Sequence, residues 1–118
     1  MKHWKPLFIE NSKVPIWLSK FAPIEIGAIT AGPVVFSRGK ISESTRRHET
    51  IHFQQYLETL FIGFLLLYVW YFLGACIKYG FTRKSYLKIK FEQEAHANDK
   101  DVHYLNTRKR YCWLKYTI

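Results

Sequence analysis

The chain has 118 residues, enough for one domain with a single core and too few for two. Its 18 Lys and Arg against nine Asp and Glu give a net charge of +9, which points to an acidic partner such as anionic lipid or nucleic acid. Two cysteines, Cys76 and Cys112, exclude a disulfide framework and have no metal-knuckle spacing, so they read as two reduced thiols.

Residues 1–22 read as irregular, punctuated by Pro6 and Pro15 and closed by Pro23. The basic start at Lys2 and Lys5 is followed by an apolar stretch that Glu10, Asn11 and Pro15 interrupt, so no exported leader is expected. Residues 24–37 suggest a short β-hairpin: Ile24, Ile26 and their neighbours alternate weakly, Ala31-Gly32-Pro33 breaks the pattern, and Val34 and Val35 begin a second strand. Ser42, Ser44 and Thr45 are N-cap candidates for a helix over 43–58. From Thr59 to Ile77 there is no formal charge, a length able to cross a bilayer as one helix. Tyr68, Trp70 and Tyr71 lie in the middle of that run, however, whereas interfacial aromatics belong at its ends. A buried apolar helix pair is the alternative reading of 59–77.

A further helix is predicted over 88–106. Phe91, Ala95, Val102 and Leu105 fall on one apolar stripe, and Glu92, His96, Asp99 and His103 on a polar one. The tail over 107–118 mixes cations with aromatics, as membrane-surface segments do. The whole reads as a single α+β domain, mainly α with a short β-hairpin: an active-site helix runs into an apolar helical hairpin, and a return helix follows.

The 43–58 helix contains His48-Glu49-Thr50-Ile51-His52, an H-E-x-x-H pentapeptide. Four residues apart on a helix, His48 and His52 face one way and can hold one zinc ion, with Glu49 beside a water in the metal's open position. Two imidazoles do not complete such a site, and the best downstream source of a third ligand is the stretch Glu92-Gln93-Glu94-Ala95-His96. Helical phase favours Glu92, because Glu94 lies off the polar stripe. His96, Asp99 and His103 are supporting or alternative ligands, and Tyr56 and Tyr104 are candidates to steady an oxyanion.

These residues carry a resemblance. The run Arg47 to His52, then Gln54-Gln55, then a long apolar segment, then Glu-x-x-Ala resembles the gluzincin metallopeptidases, above all their integral-membrane CAAX-protease branch. A group of small uncharacterised bacterial HExxH proteins shares the same order of segments over most of 24–118. The resemblance implies one zinc ion per chain held by His48, His52 and Glu92, with Glu49 as general base. His96 stands where that family's pattern has Asp, which leaves the support of a ligand histidine to His96 or Asp99. The segment holding Ile24, Ile26, Val34 and Val35 would present an edge to an extended peptide.

Geometry and charge limit how the apolar run is used. A straight crossing from 59 to 77 would put His48 and Glu92 on opposite sides of a bilayer. Reversal near residue 72, with Gly74 the nearest breaking point and a kink at Gly63 the alternative, brings them to one level. Residues 1–58 carry eight Lys and Arg and residues 78–118 carry ten, so both flanks prefer the cytoplasmic face. The expectation is a membrane-associated zinc metallopeptidase on that face, acting on a peptide or protein substrate at an anionic lipid surface. In so small a chain the substrate groove is expected to be shallow or borrowed from an oligomer. The alternative is a non-enzymatic membrane-surface protein with a structural metal; nucleic acid is disfavoured, since no nucleic-acid module is recognisable.

Overall fold

The computed structural model describes residues 4–117 and is mainly helical, with one small sheet. The sheet order is β1 (Leu7–Ile9), β3 (Val34–Ser37), β2 (Ala28–Ala31), with β1 parallel and β2 antiparallel to β3. Helix α1 (Val14–Ser19), started by Pro15, links β1 to the rest, so the segment expected to be irregular supplies a strand and a helix. The expected strand over 24–30 shortens to β2. One reason is visible at Ile26, whose N–H donates to Ser19 Oγ at 2.8 Å and is thereby taken out of any ladder. Val34 and Val35 lie on the central strand and offer no edge; the edge beside the helices is β2.

Helix α2 (Glu43–Glu58) begins at Ser42, whose Oγ accepts the Thr45 N–H at 3.1 Å. From His48 to Tyr56 every residue is buried. The chain then reverses at Leu60 (φ 58°) and Phe61 (φ 64°, ψ −62°). With Ile62 N–H donating to Leu60 O at 2.7 Å, Phe61 is the centre of a γ-turn of the non-inverse kind, a strained geometry for a bulky residue. Phe61 N–H also donates to Tyr56 O at 2.8 Å, which anchors the turn to the end of α2.

Helix α3 (Ile62–Tyr79) follows without interruption, and Gly74 sits inside it with no break. The reversals fall at Leu60–Phe61 and at Gly80 (φ 80°), not at Gly74, so the apolar run is one helix packed back across α2. After α4 (Arg83–Leu87) comes α5 (Lys90–Asn98), then α6 (Tyr104–Thr107) and a 3-10 turn over Cys112–Lys115. The continuous helix expected over 88–106 is thus divided. Arg47 of α2 takes the Asp99 carbonyl, and His48 takes its carboxylate, so α2 captures the groups at the point where α5 stops. Val102 is 65 % exposed, and the apolar stripe ends at Ala95.

The core is an aromatic column. Tyr56 stacks on Phe64 with centroids 3.9 Å apart, Phe64 on Phe91 at 4.5 Å, and Phe91 meets Trp113 edge-on at 4.8 Å. Each such pair adds about 0.5–1.5 kcal/mol beyond burial, and together they bind α2, α3, α5 and the tail into one body. The tail is locked by Arg108, buried between Glu58 and Glu94: its Nη1 meets Glu58 Oε2 and its Nε meets Glu94 Oε2, each at 2.5 Å. Trp113 Nε1 donates to Glu58 Oε1 at 3.1 Å. Removing the cation would leave two carboxylates buried and unpaired, so Arg108→Met is expected to cost about 3–5 kcal/mol in urea unfolding of the full chain.

Candidate metal centre

Helix α2 presents His48, Glu49 and His52 toward α5, and the two helices pack so that Glu92 enters between the imidazoles. Glu92 Oε1 lies 3.3 Å from His48 Nε2 and 3.0 Å from His52 Nε2. Ligand atoms about 2.0–2.1 Å from a tetrahedral zinc are roughly 3.3 Å apart, so the two edges that share Glu92 Oε1 have the length of a coordination tetrahedron's edge.

The tautomers support the same reading. His52 Nδ1 lies 2.7 Å from Gln55 Oε1. The Gln55 amide nitrogen spends its two protons on Phe91 O at 3.1 Å and Glu94 Oε1 at 3.0 Å. Gln55 Oε1 can only accept, so His52 Nδ1 carries a proton and the neutral ring turns its Nε2 lone pair into the site. His48 Nδ1 lies 2.9 Å from Asp99 Oδ2, which fixes that ring in the same sense. Two imidazole lone pairs and a carboxylate oxygen, all buried and aimed at one point, repel one another unless a cation sits among them. A divalent metal fits this donor set.

His48, Glu49 and His52 offer ligand atoms within 4.8 Å of one another, and so do His48, His96 and Asp99. In the second group Asp99 Oδ2 is already engaged with His48 Nδ1 at 2.9 Å, so Asp99 acts as an orienting acceptor. In the first group, Glu49 Oε2 stays 3.8 Å from His48 Nε2, farther than Glu92, and Thr30 Oγ1 donates to Glu49 Oε1 at 3.0 Å. Glu49 therefore stands beside the three-atom cluster.

The two site carboxylates are driven apart. Burial raises Glu49 above the ordinary carboxylate range, against the pull of the His52 and His48 charges. Burial acts on Glu92 in the same direction, but the His52 charge and the hydrogen bonds from both imidazoles outweigh it and hold Glu92 well below that range. In the chain without metal, burial opposes a charged His52, yet the adjoining Glu92 carboxylate pushes its pKa up to about 9. A proton thus occupies the point where a cation would be held.

Further hydroxyls close around Glu92. Tyr68 donates to its Oε2 at 2.8 Å and Tyr86 to its Oε1 at 3.0 Å. His96 Nε2 is 3.6 Å from the same Oε1, and its ring meets that of His48 at 4.6 Å. Burial, then the His48 charge, lowers the pKa of this half-exposed imidazole. All these groups open into a cavity of about 850 Å³ bounded by β2 and α3.

Several sequence expectations are redirected. Glu94 is fully buried and bound to Arg108, Gln55 and Tyr104, on the side of α5 away from the cluster. His103 is exposed in the turn before α6, outside the site, because the helix that would have carried it ends at Asn98. Tyr56 donates to Thr30 O at 2.9 Å and Tyr104 to Glu94 Oε2 at 2.7 Å, so both hydroxyls are engaged in holding elements together. Ile24 and Ile26 line the cavity from the loop before β2. Three groups escape a reading of the sequence: Thr30, Tyr68 and Tyr86. Tyr68 had one signal, since a tyrosine in mid-run of an apolar helix needs a partner for its hydroxyl.

No protein-family model, curated protein or solved structure matches the chain. Loss of the acceptor behind His48 should loosen a bound metal without removing a ligand: Asp99→Ala is expected to lower zinc affinity about 10- to 100-fold in competition with a chromophoric chelator, with Lys109→Ala unchanged.

Proposed function

We propose that the protein is a zinc-dependent hydrolase of peptide bonds, of the gluzincin type that its HExxH segment resembles. The observation that carries this reading is the convergence of His48 Nε2, His52 Nε2 and Glu92 Oε1 on one point, with the Glu49 carboxylate alongside and a cavity in front. Zinc held by those three atoms would lower the pKa of a coordinated water toward about 7 and polarise a carbonyl.

The chain's own residues supply the rest. Thr30 and the body of α2 fix Glu49 so that one oxygen is engaged and the other faces the cluster. As water forms the new bond to the carbonyl carbon, Glu49 takes one of its protons. The same carboxyl gives that proton to the departing amine when the C–N bond breaks, and the products are a free carboxylate and an amine. Residues 28–30 border the cavity on an edge strand; with the Thr30 carbonyl already taken by Tyr56, an extended peptide would pair at the Ala28 end of β2 and place a carbonyl near the cluster.

One observation favours a second reading. His96 Nε2 is close enough to Glu92 Oε1 to act as a fourth ligand, which would close the sphere and make the metal structural in a non-enzymatic protein. The two are separated by metal content. A hydrolase with an open position keeps about one zinc per chain in His96→Ala, whereas a closed four-ligand site loses affinity in that variant as steeply as in His52→Ala.

Under the hydrolase reading, Glu49→Gln retains stoichiometric zinc and loses cleavage of a quenched-fluorescence peptide mixture by about 10²- to 10⁴-fold. His48→Ala and His52→Ala lose both metal and cleavage. Undiminished cleavage by Glu49→Gln would refute the general-base role.

A further inference from the structure

Helix α3 has two faces of opposite fate. One carries Phe64 and Ala75 into the core and sends the Tyr68 hydroxyl to Glu92. The other leaves Ile62, Leu65, Leu66, Val69, Trp70, Leu73 and Ile77 in solvent, each more than half exposed, with Ile77 at 89 %. These positions recur every three or four residues and make a continuous apolar stripe about 22 Å long. A stripe of seven large apolar side chains exceeds what a monomeric soluble protein ordinarily leaves uncovered.

Two observations indicate what covers it. First, the protein withdraws its own negative charge. Glu49, Glu58, Glu92, Glu94 and Asp99 all have side chains at most 13 % exposed. That leaves Glu10, Glu25, Glu43 and Asp101 as the exposed acids, while among the Lys and Arg side chains Arg108 is held in a buried ion pair. The surface is therefore more basic than the net charge of +9 indicates. Two such surfaces repel each other, which disfavours a second copy of the chain on the stripe, whereas a negatively charged one attracts.

Second, the stripe borders the cavity. Leu65 and Val69 belong to both, and Phe21, 69 % exposed, lines the same cavity from the segment after α1, next to Lys20 and beyond exposed Trp17. Apolar side chains from two separate elements thus line one cavity, together with Arg38, Lys40 and Lys100.

We infer that the outer face of α3, with Phe21, docks on an anionic lipid bilayer. The helix lies along the interface, because its inner face is committed to the protein core and cannot be turned to lipid. The stripe enters the headgroup–acyl boundary, while Lys and Arg side chains around it meet lipid phosphates. The cavity mouth then opens at headgroup level. Docking requires only α3 and the surface charge, so it does not depend on the metal chemistry proposed above.

The test is flotation of the full chain with vesicles of phosphatidylcholine, with and without phosphatidylserine. The chain is expected to float with the phosphatidylserine vesicles, less so at high salt and far less with phosphatidylcholine alone. Leu66→Gln combined with Trp70→Gln, both exposed positions, should lower the bound fraction about tenfold or more with an unchanged circular dichroism spectrum. Glu49→Gln should float as the parent does, so a failure of hydrolysis and a failure of docking are read separately. A chain that stays in solution with every vesicle, or a double variant that floats as well as the parent, overturns the inference. So does a concentration-dependent dimer that the double variant dissociates without any vesicle binding, since a second copy would then cover the stripe.

Discussion

The structure turns on one buried concentration of like-natured atoms. His48 Nε2, His52 Nε2 and Glu92 Oε1 are electron-rich groups within 3.3 Å along the two edges that share the carboxylate oxygen. Each is held in place by a partner behind it. Asp99 stands behind His48, Gln55 behind His52 and the Tyr68 hydroxyl behind Glu92, whose Oε1 also accepts from Tyr86. Water is largely excluded from these side chains, so nothing but a proton or a metal can offset the repulsion. In the metal-free chain the proton on His52 meets this need, and donors oriented from behind in this way also fit a metal ion.

That cluster is tied to the remainder of the fold by a chain of satisfied polar contacts. Gln55 accepts from His52 and donates to Glu94; Glu94 pairs with Arg108; Arg108 pairs with Glu58; and Trp113 donates to Glu58. The tail of the protein is thus linked, through five side chains, to the orientation of one imidazole. On the other side Thr30 holds Glu49, and Tyr56 holds the carbonyl of Thr30, so the edge strand and the proton acceptor are set by the same pair of contacts. Two separate networks converge on α2, and this is why an uninterrupted run of its residues from His48 to Tyr56 is buried although most of them are polar.

How far the sequence revealed this depends on the range of the interaction concerned. Helix α2 was legible to the residue, because an N-cap serine and the HExxH spacing are local signals. Glu92 was legible from helical phase relative to His96. The split of 88–106 was not, because it depends on Arg47 and His48 reaching across from α2 to Asp99, a contact between residues about fifty positions apart. The turn at Leu60–Phe61 was equally hidden, since neither residue type signals a positive φ, and glycines at 63 and 74 drew the expected break elsewhere. The partners of Glu92 were illegible for a related reason: Tyr68 and Tyr86 come from different helices, and nothing in their neighbourhoods marks them apart from the other tyrosines.

The γ-turn at Phe61 has a consequence for how this chain can vary among descendants. It joins α2 to α3 with no slack, and each residue of an α-helix turns the axis by about 100°. Inserting or deleting a single residue between Glu58 and Ile62 would rotate α3 against α2 by that angle. Val69 or Leu67 would then swing toward Glu92 in place of Tyr68, and the core-facing Phe64 would leave its stack. Substitutions can accumulate on the outer side of this helix, but the length of the link is frozen, and lineages that keep the cluster should keep the number of residues between His52 and Tyr68 unchanged.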